Sequence, residues 1–292
     1  MKTIIVPQLI ELEKIYLFIN ELVQVDIVDI KSLTDAYAEF EDALKSKNIV
    51  QVEVCPESLS ERWHPELVDL DNLQGTVSSG AILQKQLGGK SIWTYTPFNP
   101  SIADRASKLH KALCQSNVFG PIFKKTCNNK IEELKKKIIN GHLKELKELF
   151  KQVFNDRHNE YSITVLSSYG DCCHQPCEKA CHKAIPAQNR YCTLNCLYMG
   201  DFQPDKVNLP LLLKAYNSLQ YVGLLQVPHH GSEHNYAIKF YQFPRICIVS
   251  ADTKDHYSHP NKKVLDGIVT NKGIVILVTE TVASKQKFIY HL

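Results

Sequence analysis

The sequence predicts an α/β fold, and two features of the chain support this prediction. Short apolar runs typical of strands alternate with longer segments of helical periodicity, so that the order strand, helix, strand recurs. The chain has 292 residues, of which 44% are hydrophobic and 22% charged, which is the balance of a globular protein with a sizeable core. The formal net charge of +3 is too small to indicate nucleic-acid binding by bulk charge.

The N-terminal part of the chain carries the first strand–helix–strand unit. Residues 4–6 are an apolar run that predicts a strand ending at Pro7. Apolar residues at helical spacing predict a helix over 33–47, and clean alternation predicts a strand over 49–54. Residues 55–90 are rich in Ser, Gly, Asp and Pro, and we expect them to form a long connection.

The middle of the chain is predominantly helical. A short strand is predicted at 91–96 and a helix at 102–115. Apolar residues spaced three to five apart predict further helix over 130–155, which Gly141 interrupts, so that two helices are expected to meet there. We interpret 100–158 as a helical insertion.

The C-terminal part alternates predicted strands with polar loops. The strands are expected at 163–166, 192–199, 221–227, 245–250 and 273–278. Three polar stretches begin where a strand ends, and α/β folds build their ligand sites there. These stretches are Gly200-Asp201, His229-His230-Gly231-Ser232, and Ser250-Ala251-Asp252 together with Tyr257-Ser258-His259-Pro260.

Each stretch also has an ordinary structural interpretation. Asp201 after a glycine is typical of a turn, the pair His229 and His230 fits a polar loop, and His259 before proline fits the start of a helix. In combination, a carboxylate and several imidazoles at successive strand ends favour a binding site.

In this order the three stretches resemble the metallo-β-lactamase superfamily, in the branch that includes the C-terminal domain of the competence DNA-uptake channel protein and the phosphorylcholine esterases. The resemblance covers about residues 160–292. It implies an αββα sandwich that lacks its N-terminal strands, with residues 1–292 forming a single incomplete domain. It also implies a metal-dependent hydrolase of the phosphodiesterase or nuclease-like kind, acting on a phosphate-containing substrate.

The resemblance implies a role for each residue of the three stretches. By this resemblance Asp201 would bridge two zinc ions, His230 would ligate one of them, and His229 would hold the substrate oxyanion. His259 or Tyr257 assists the leaving group. Water bound to zinc would become hydroxide near neutral pH, able to attack a phosphoryl or acyl centre.

The sequence departs from the family in one respect. The string His-x-His-x-Asp-His, which supplies most of the family's metal ligands, does not occur. Three explanations stay open: a shortened chain, one half of a split enzyme that a partner chain completes, or a degenerate member kept for binding. The last makes the protein a non-catalytic interaction protein on a hydrolase scaffold.

A cysteine- and histidine-rich loop at 171–191 is the second unusual feature. Six of the ten cysteines lie between Cys172 and Cys196. The ligands that such a loop offers to a structural zinc ion are Cys173, Cys177, Cys181 and His182. Free thiols and disulfides are the alternatives, and His182 could instead replace a missing ligand of the hydrolase site.

The N-terminus and the apolar runs bear on the cellular location. The first 18 residues lack the pattern of a signal peptide, and no run of about 18 apolar residues predicts a membrane span. We therefore expect a cytoplasmic protein without membrane association, in which the cysteines are thiols or metal ligands more often than disulfides.

Overall fold

The computed structural model describes eleven segments of the chain. They are residues 2–7, 11–24, 49–55, 66–73, 75–124, 129–154, 162–169, 192–216, 219–243, 245–251 and 259–280. The chain divides into two units, of which the first comprises 1–4, 8–51 and 101–159 and the second comprises 5–7, 52–100 and 160–292.

The first unit is helical. Its described helices are α1 (Glu11–Gln24), α2 (Ala103–Gln115), α3 (Gly120–Phe123), α4 (Lys130–Lys137) and α5 (Leu143–Phe154). The buried ring of Tyr16 on α1 lies 6.1 Å from that of Phe150 and 5.7 Å from that of Phe154, between ring centroids. These aromatic contacts pack α1 against α5. The helix predicted at 102–115 is confirmed, whereas the helix predicted at 33–47 lies outside the described residues.

The predicted break at Gly141 is also confirmed. A π-helical turn, Ile138–His142, separates α4 from α5, and inside it Gly141 has a φ of 97°. A residue with a side chain is strained in that backbone region, whereas glycine adopts it readily. The glycine therefore ends one helix and lets the next begin.

The second unit contains most of the strand residues. The strands are β1 (Lys2–Pro7), β2 (Ile49–Cys55), β3 (Leu67–Asp69), β4 (Gly75–Ser78), β5 (Ile82–Leu87), β6 (Lys90–Phe98), β7 (Thr164–Tyr169), β8 (Cys192–Tyr198), β9 (Val222–Gln226), β10 (Ile246–Ser250) and β11 (Ile274–Val278). Three of them form one sheet in the order β1-β2-β4, and eight form another in the order β11-β10-β9-β8-β7-β6-β5-β3. Its helices are α6 (Asn208–Ala215), α7 (Ile238–Tyr241) and α8 (Lys262–Thr270).

The strand directions make this a mixed α/β protein, as the sequence predicts. Strands β8 to β11 are parallel to one another. The pairs β5–β6, β6–β7 and β7–β8 are antiparallel. The strands predicted at 4–6, 49–54, 91–96 and throughout the C-terminal part are present with small shifts of their ends.

The interpretation of 55–90 as a long connection is wrong. Strands β3, β4 and β5 lie within it. All three pair in parallel with a strand that is separated from them in sequence: β3 and β5 pair with each other, and β4 pairs with β2. Such short strands are stabilised by tertiary pairing, which the local composition does not reveal.

One face of the large sheet forms the core of the second unit. A row of neighbouring side chains crosses five strands on this face: Leu166, Leu197, Leu225, Cys247 and Val275. Buried residues of α6, α7 and α8 pack against this row. Packing in this core therefore fixes the parallel strands relative to one another, and with them the positions at which the strands end.

A small polar network joins the two sheets. The side-chain amide of Asn99, just after β6, donates to the carbonyl oxygen of Val54 at 2.8 Å. Ser79 donates from its hydroxyl to the carbonyl of Cys55 at 2.7 Å and accepts from the backbone N–H of Asn99 at 2.9 Å.

Within the described ranges every helix is too short or too polar to traverse a bilayer.

Candidate functional site

The parallel register of β8, β9 and β10 brings the loops after β8 and β9 and the end of β10 to one edge of the large sheet. Cys196 and Leu197 pair with Leu224 and Leu225, which in turn pair with the first residues of β10. Because parallel strands end at the same edge, the loops that follow β8 and β9 are neighbours and lie beside the end of β10. A backbone hydrogen bond joins these two loops, since His229 donates its N–H to the carbonyl of Gly200 at 2.9 Å.

The loop that carries Asp201 is held by Ser162, just before β7, and by Gln226 at the end of β9. Gly200 has a φ of 52°, and a Cβ added there would lie 2.7 Å from the Cβ of Ser162, so only glycine fits. The N–H of Asp201 donates to the hydroxyl of Ser162 at 2.9 Å. The side-chain oxygen of Gln226 accepts from the N–H of Met199 at 3.1 Å. These contacts therefore fix the backbone that carries the carboxylate of Asp201.

The histidine turn after β9 has a strained backbone. Three consecutive residues, His229, His230 and Gly231, have positive φ values of 46°, 55° and 83°. For residues with side chains this conformation costs on the order of 1–2 kcal/mol each, and it persists only where the surroundings impose it. Here Gly231 is closed in by the ring of Pro260, whose Cβ would lie 2.7 Å from a Cβ added at the glycine.

A hydrogen bond fixes the orientation and the tautomer of His230. Its Nδ1 lies 2.7 Å from the carbonyl oxygen of Ser250 at the end of β10. A carbonyl oxygen only accepts, so Nδ1 must carry the hydrogen, and Nε2 of the neutral ring is left with its lone pair. Histidines that ligate metals are held in this way by a backbone carbonyl on the far ring nitrogen.

Three imidazole rings lie side by side at this edge. The ring centroid of His229 is 6.1 Å from that of His230 and 5.8 Å from that of His259. The Nδ1 atom of His229 is buried and meets no hydrogen-bond partner among the described residues. A buried polar atom in this state costs on the order of 1–3 kcal/mol, and binding a ligand would remove that cost.

Asn235 connects the histidine loop with the Asp201 loop. This residue is 2% exposed, and its side-chain amide donates to the carbonyls of Asp201 at 3.1 Å and Phe202 at 2.9 Å. Ser232 accepts the N–H of His234 on its hydroxyl at 3.3 Å and so begins the short turn that carries Asn235. The two loops therefore keep a defined spacing.

An ion pair lies on the rim of the site. Glu233, in the loop after the histidine pair, accepts from Nζ of Lys263 in the first turn of α8 at 2.8 Å. Their hydrogen bond and mutual attraction lower the pKa of Glu233 and raise the pKa of Lys263. Both groups are exposed, so water and salt screen the pair strongly.

The predicted site residues divide into two groups. Asp201, His229, His230 and His259 are described, and strand ends and the start of α8 place them along one edge of the sheet. The other predicted site residues, Tyr257, Cys173, Cys177, Cys181 and His182, lie outside the described residues. Within the described ranges, no three or more His, Cys, Asp or Glu side chains are grouped so as to hold a metal ion.

Three supporting residues were missed in the sequence: Ser162, Gln226 and Asn235. Each acts on the Asp201 loop through a hydrogen bond to its backbone. All three are ordinary polar residues without a motif, and their partners lie 27 to 39 positions away. No local pattern could have identified them.

Comparison with known proteins returned no relative of this chain: no family model, no curated protein and no solved structure matches it.

Proposed function

We propose that the protein is a metal-dependent hydrolase of the phosphodiesterase or nuclease-like kind, built on an αββα scaffold of the metallo-β-lactamase type. Its site is the sheet edge formed by the loops after β8 and β9, the end of β10 and His259 just before α8. The observation that carries the proposal is the strained turn of His229 and His230, with positive φ at both residues and Nδ1 of His230 bonded to Ser250. Backbone strain in non-glycine residues is concentrated at active sites and ligand clamps.

Zinc is the metal that the available donors favour. His230 offers its Nε2 and Asp201 its carboxylate, and both atom types are zinc ligands. These two donors do not complete a site by themselves, since catalytic zinc has three protein ligands and the described residues contain no such group. The proposal therefore assigns the remaining ligands to residues outside the described ranges or to a partner chain. Bound zinc would supply hydroxide near neutral pH.

The residues of the chain bind and orient the substrate. The Nδ1 of the His229 ring, which has no hydrogen-bond partner among the described residues, is suited to a hydrogen bond with an anionic oxygen, such as that of a phosphodiester. His259, whose ring centroid is 5.8 Å away, is close enough to reach the same phosphoryl group and to give a proton to the leaving oxygen. Tyr257 is the alternative proton donor.

The experiment combines metal analysis with an assay of phosphodiester hydrolysis. Zinc per chain and hydrolysis of bis(p-nitrophenyl) phosphate are measured for the unaltered protein and for a variant that combines Asp201→Ala with His230→Ala. The matched control is His234→Ala, which removes an exposed histidine from the same loop. The proposal requires that zinc and hydrolysis fall together in the first variant and persist in the control. Hydrolysis that is unchanged in the first variant would contradict it.

A second candidate function is a non-catalytic interaction protein with a structural zinc ion in the Cys/His loop. The absence of the string His-x-His-x-Asp-His from the sequence and the six cysteines between Cys172 and Cys196 favour it. The same analysis separates the two functions, with a variant that combines Cys177→Ser and Cys181→Ser. Loss of zinc in that variant alone, without any hydrolysis in the unaltered protein, would support the interaction protein.

A further inference from the structure

Helix α2 of the helical unit carries a thiol and an imidazole in contact with each other. Cys114 follows His110 by four positions, and residues four apart on a helix lie on the same face. The Sγ atom of Cys114, which is a free cysteine, lies 3.7 Å from Nε2 of His110 and 3.9 Å from Nδ1. Cysteine sulfur and histidine nitrogen are the donors from which structural zinc sites are built.

The separation of the two donor atoms fits a single zinc ion. Zinc bonds to sulfur at about 2.3 Å and to nitrogen at about 2.0–2.1 Å, so two such ligands at the tetrahedral angle lie about 3.5–3.6 Å apart. The distance of 3.7 Å between Sγ and Nε2 is close to this value. The torsion that orients an imidazole ring is broad, so the ring can aim the lone pair of one nitrogen at the ion. A hydrogen bond between the thiol and the ring is the alternative interpretation of the contact.

The surroundings of the pair suit an ion that enters from solvent. Both side chains are half-buried, so the donors can be reached from outside while part of their hydration is removed. The ring of His110 packs edge-on against the buried ring of Phe123 on α3, with 6.1 Å between centroids. An apolar neighbour lowers the local dielectric and strengthens the attraction between a cation and its ligands. Lys108 and Lys111 on the same helix are exposed, so water and salt screen their repulsion.

We propose that Cys114 and His110 bind one zinc ion, with water in the remaining coordination positions. Within the described ranges no third Cys, His, Asp or Glu joins the pair, so the site is open, and its zinc exchanges with solvent more readily than that of a closed four-ligand site. On binding, the thiol gives its proton to solvent and the sulfur bonds to zinc, without any change of oxidation state. The site is separate from the proposed hydrolytic site and does not depend on it.

Zinc binding by the full chain tests the site, after a chelator has removed metal and with the thiols kept reduced. Competition with a chromophoric chelator gives the zinc bound per chain, and His110→Ala and Cys114→Ser are each expected to lower it by one ion. With cobalt in place of zinc, a thiolate ligand produces a charge-transfer band in the near ultraviolet, and Cys114→Ser should reduce that band. The matched controls, Cys55→Ser and His142→Ala, also remove a half-buried thiol or imidazole and should leave the zinc count unchanged.

A further control separates loss of a ligand from loss of structure. Leu113, next to Cys114, is 0% exposed, so Leu113→Val destabilises α2 without removing a donor and should keep the zinc. Circular dichroism shows that each variant is folded. Unchanged zinc in His110→Ala or in Cys114→Ser would overturn the proposal and leave the contact as a hydrogen bond, and so would loss of the ion in Leu113→Val. The variant that combines Asp201→Ala with His230→Ala must retain this ion, which distinguishes a failure here from a failure of the proposed function.

Discussion

Gly231 is the position where the geometry of the histidine turn can be tested most directly. Its φ is 83°, and a Cβ added there would lie 2.7 Å from the Cβ of Pro260 and 3.2 Å from its Cα. Gly231→Ala thus combines an unfavourable backbone conformation with a steric clash against a rigid ring. Because the N–H of Asn261, next to Pro260, donates to the carbonyl of Gly231 at 2.9 Å, neither segment can easily move away.

Two terms make up the expected loss of stability. An alanine in the left-handed region costs about 1–2 kcal/mol. Overpacking by one methyl group against a fixed neighbour costs about 1–3 kcal/mol more. We therefore expect Gly231→Ala to lower the free energy of unfolding by roughly 2–5 kcal/mol, which is a large part of the stability of a typical domain.

Gly75 provides a matched control. Its φ is 84°, but a Cβ added there would meet nothing within 4 Å. Gly75→Ala should therefore cost only the backbone term of about 1–2 kcal/mol. Both glycines belong to the second unit, so the two variants are compared on the same transition. Urea unfolding followed by circular dichroism measures both. Equal losses of stability in the two variants would refute the contact with Pro260 and, with it, the described shape of the turn.

Three further predictions concern other parts of the second unit. Asn235→Ala leaves two buried carbonyls without their donor and should lower the free energy of unfolding by about 1–3 kcal/mol in urea, and a neutral result would contradict the bridge between the loops. The ion pair of Glu233 and Lys263 should stabilise the fold weakly. Because the pKa of Glu233 is lowered in the folded protein, the pair contributes its full stability above the ordinary glutamate pKa. That contribution disappears as the pH falls through the lowered pKa. Thermal unfolding at several pH values should show that effect in the unaltered protein and not in Lys263→Met, and high salt should remove it. Burial raises the pKa of Cys196 to about 11 and that of Cys247 to about 12. Both thiols should therefore resist iodoacetamide in the folded protein and react only after unfolding. Rapid labelling of either cysteine in the native chain, located by mass spectrometry, would show that the core is more open than described.

Much of the fold could be predicted from local patterns. The apolar strands of the C-terminal part and the helices around Gly141 carry strong periodic signals, and their neighbours in sequence suffice to define them. Strands β3, β4 and β5 could not be predicted, because they are short and β3 and β4 pair with residues distant in sequence. Helix α1 was not predicted, because strand-like and helical patterns overlap in its part of the sequence. Its packing partners on α5 lie more than a hundred residues further along the chain.

The candidate site divides in the same way. Residue types and order alone made Asp201, His229, His230 and His259 candidates, because ligand sites of α/β folds are built from the loops after strands, and their role stays a prediction. Only the tertiary structure decided how these residues are held: the hydrogen bond of His230 to Ser250, the closure of Gly231 by Pro260, and the contacts of the Asp201 loop. These depend on the parallel register of three strands, and register is a property of pairing between segments that no single segment encodes. Local sequence thus determined which groups are available, and strand pairing determined the geometry in which they meet.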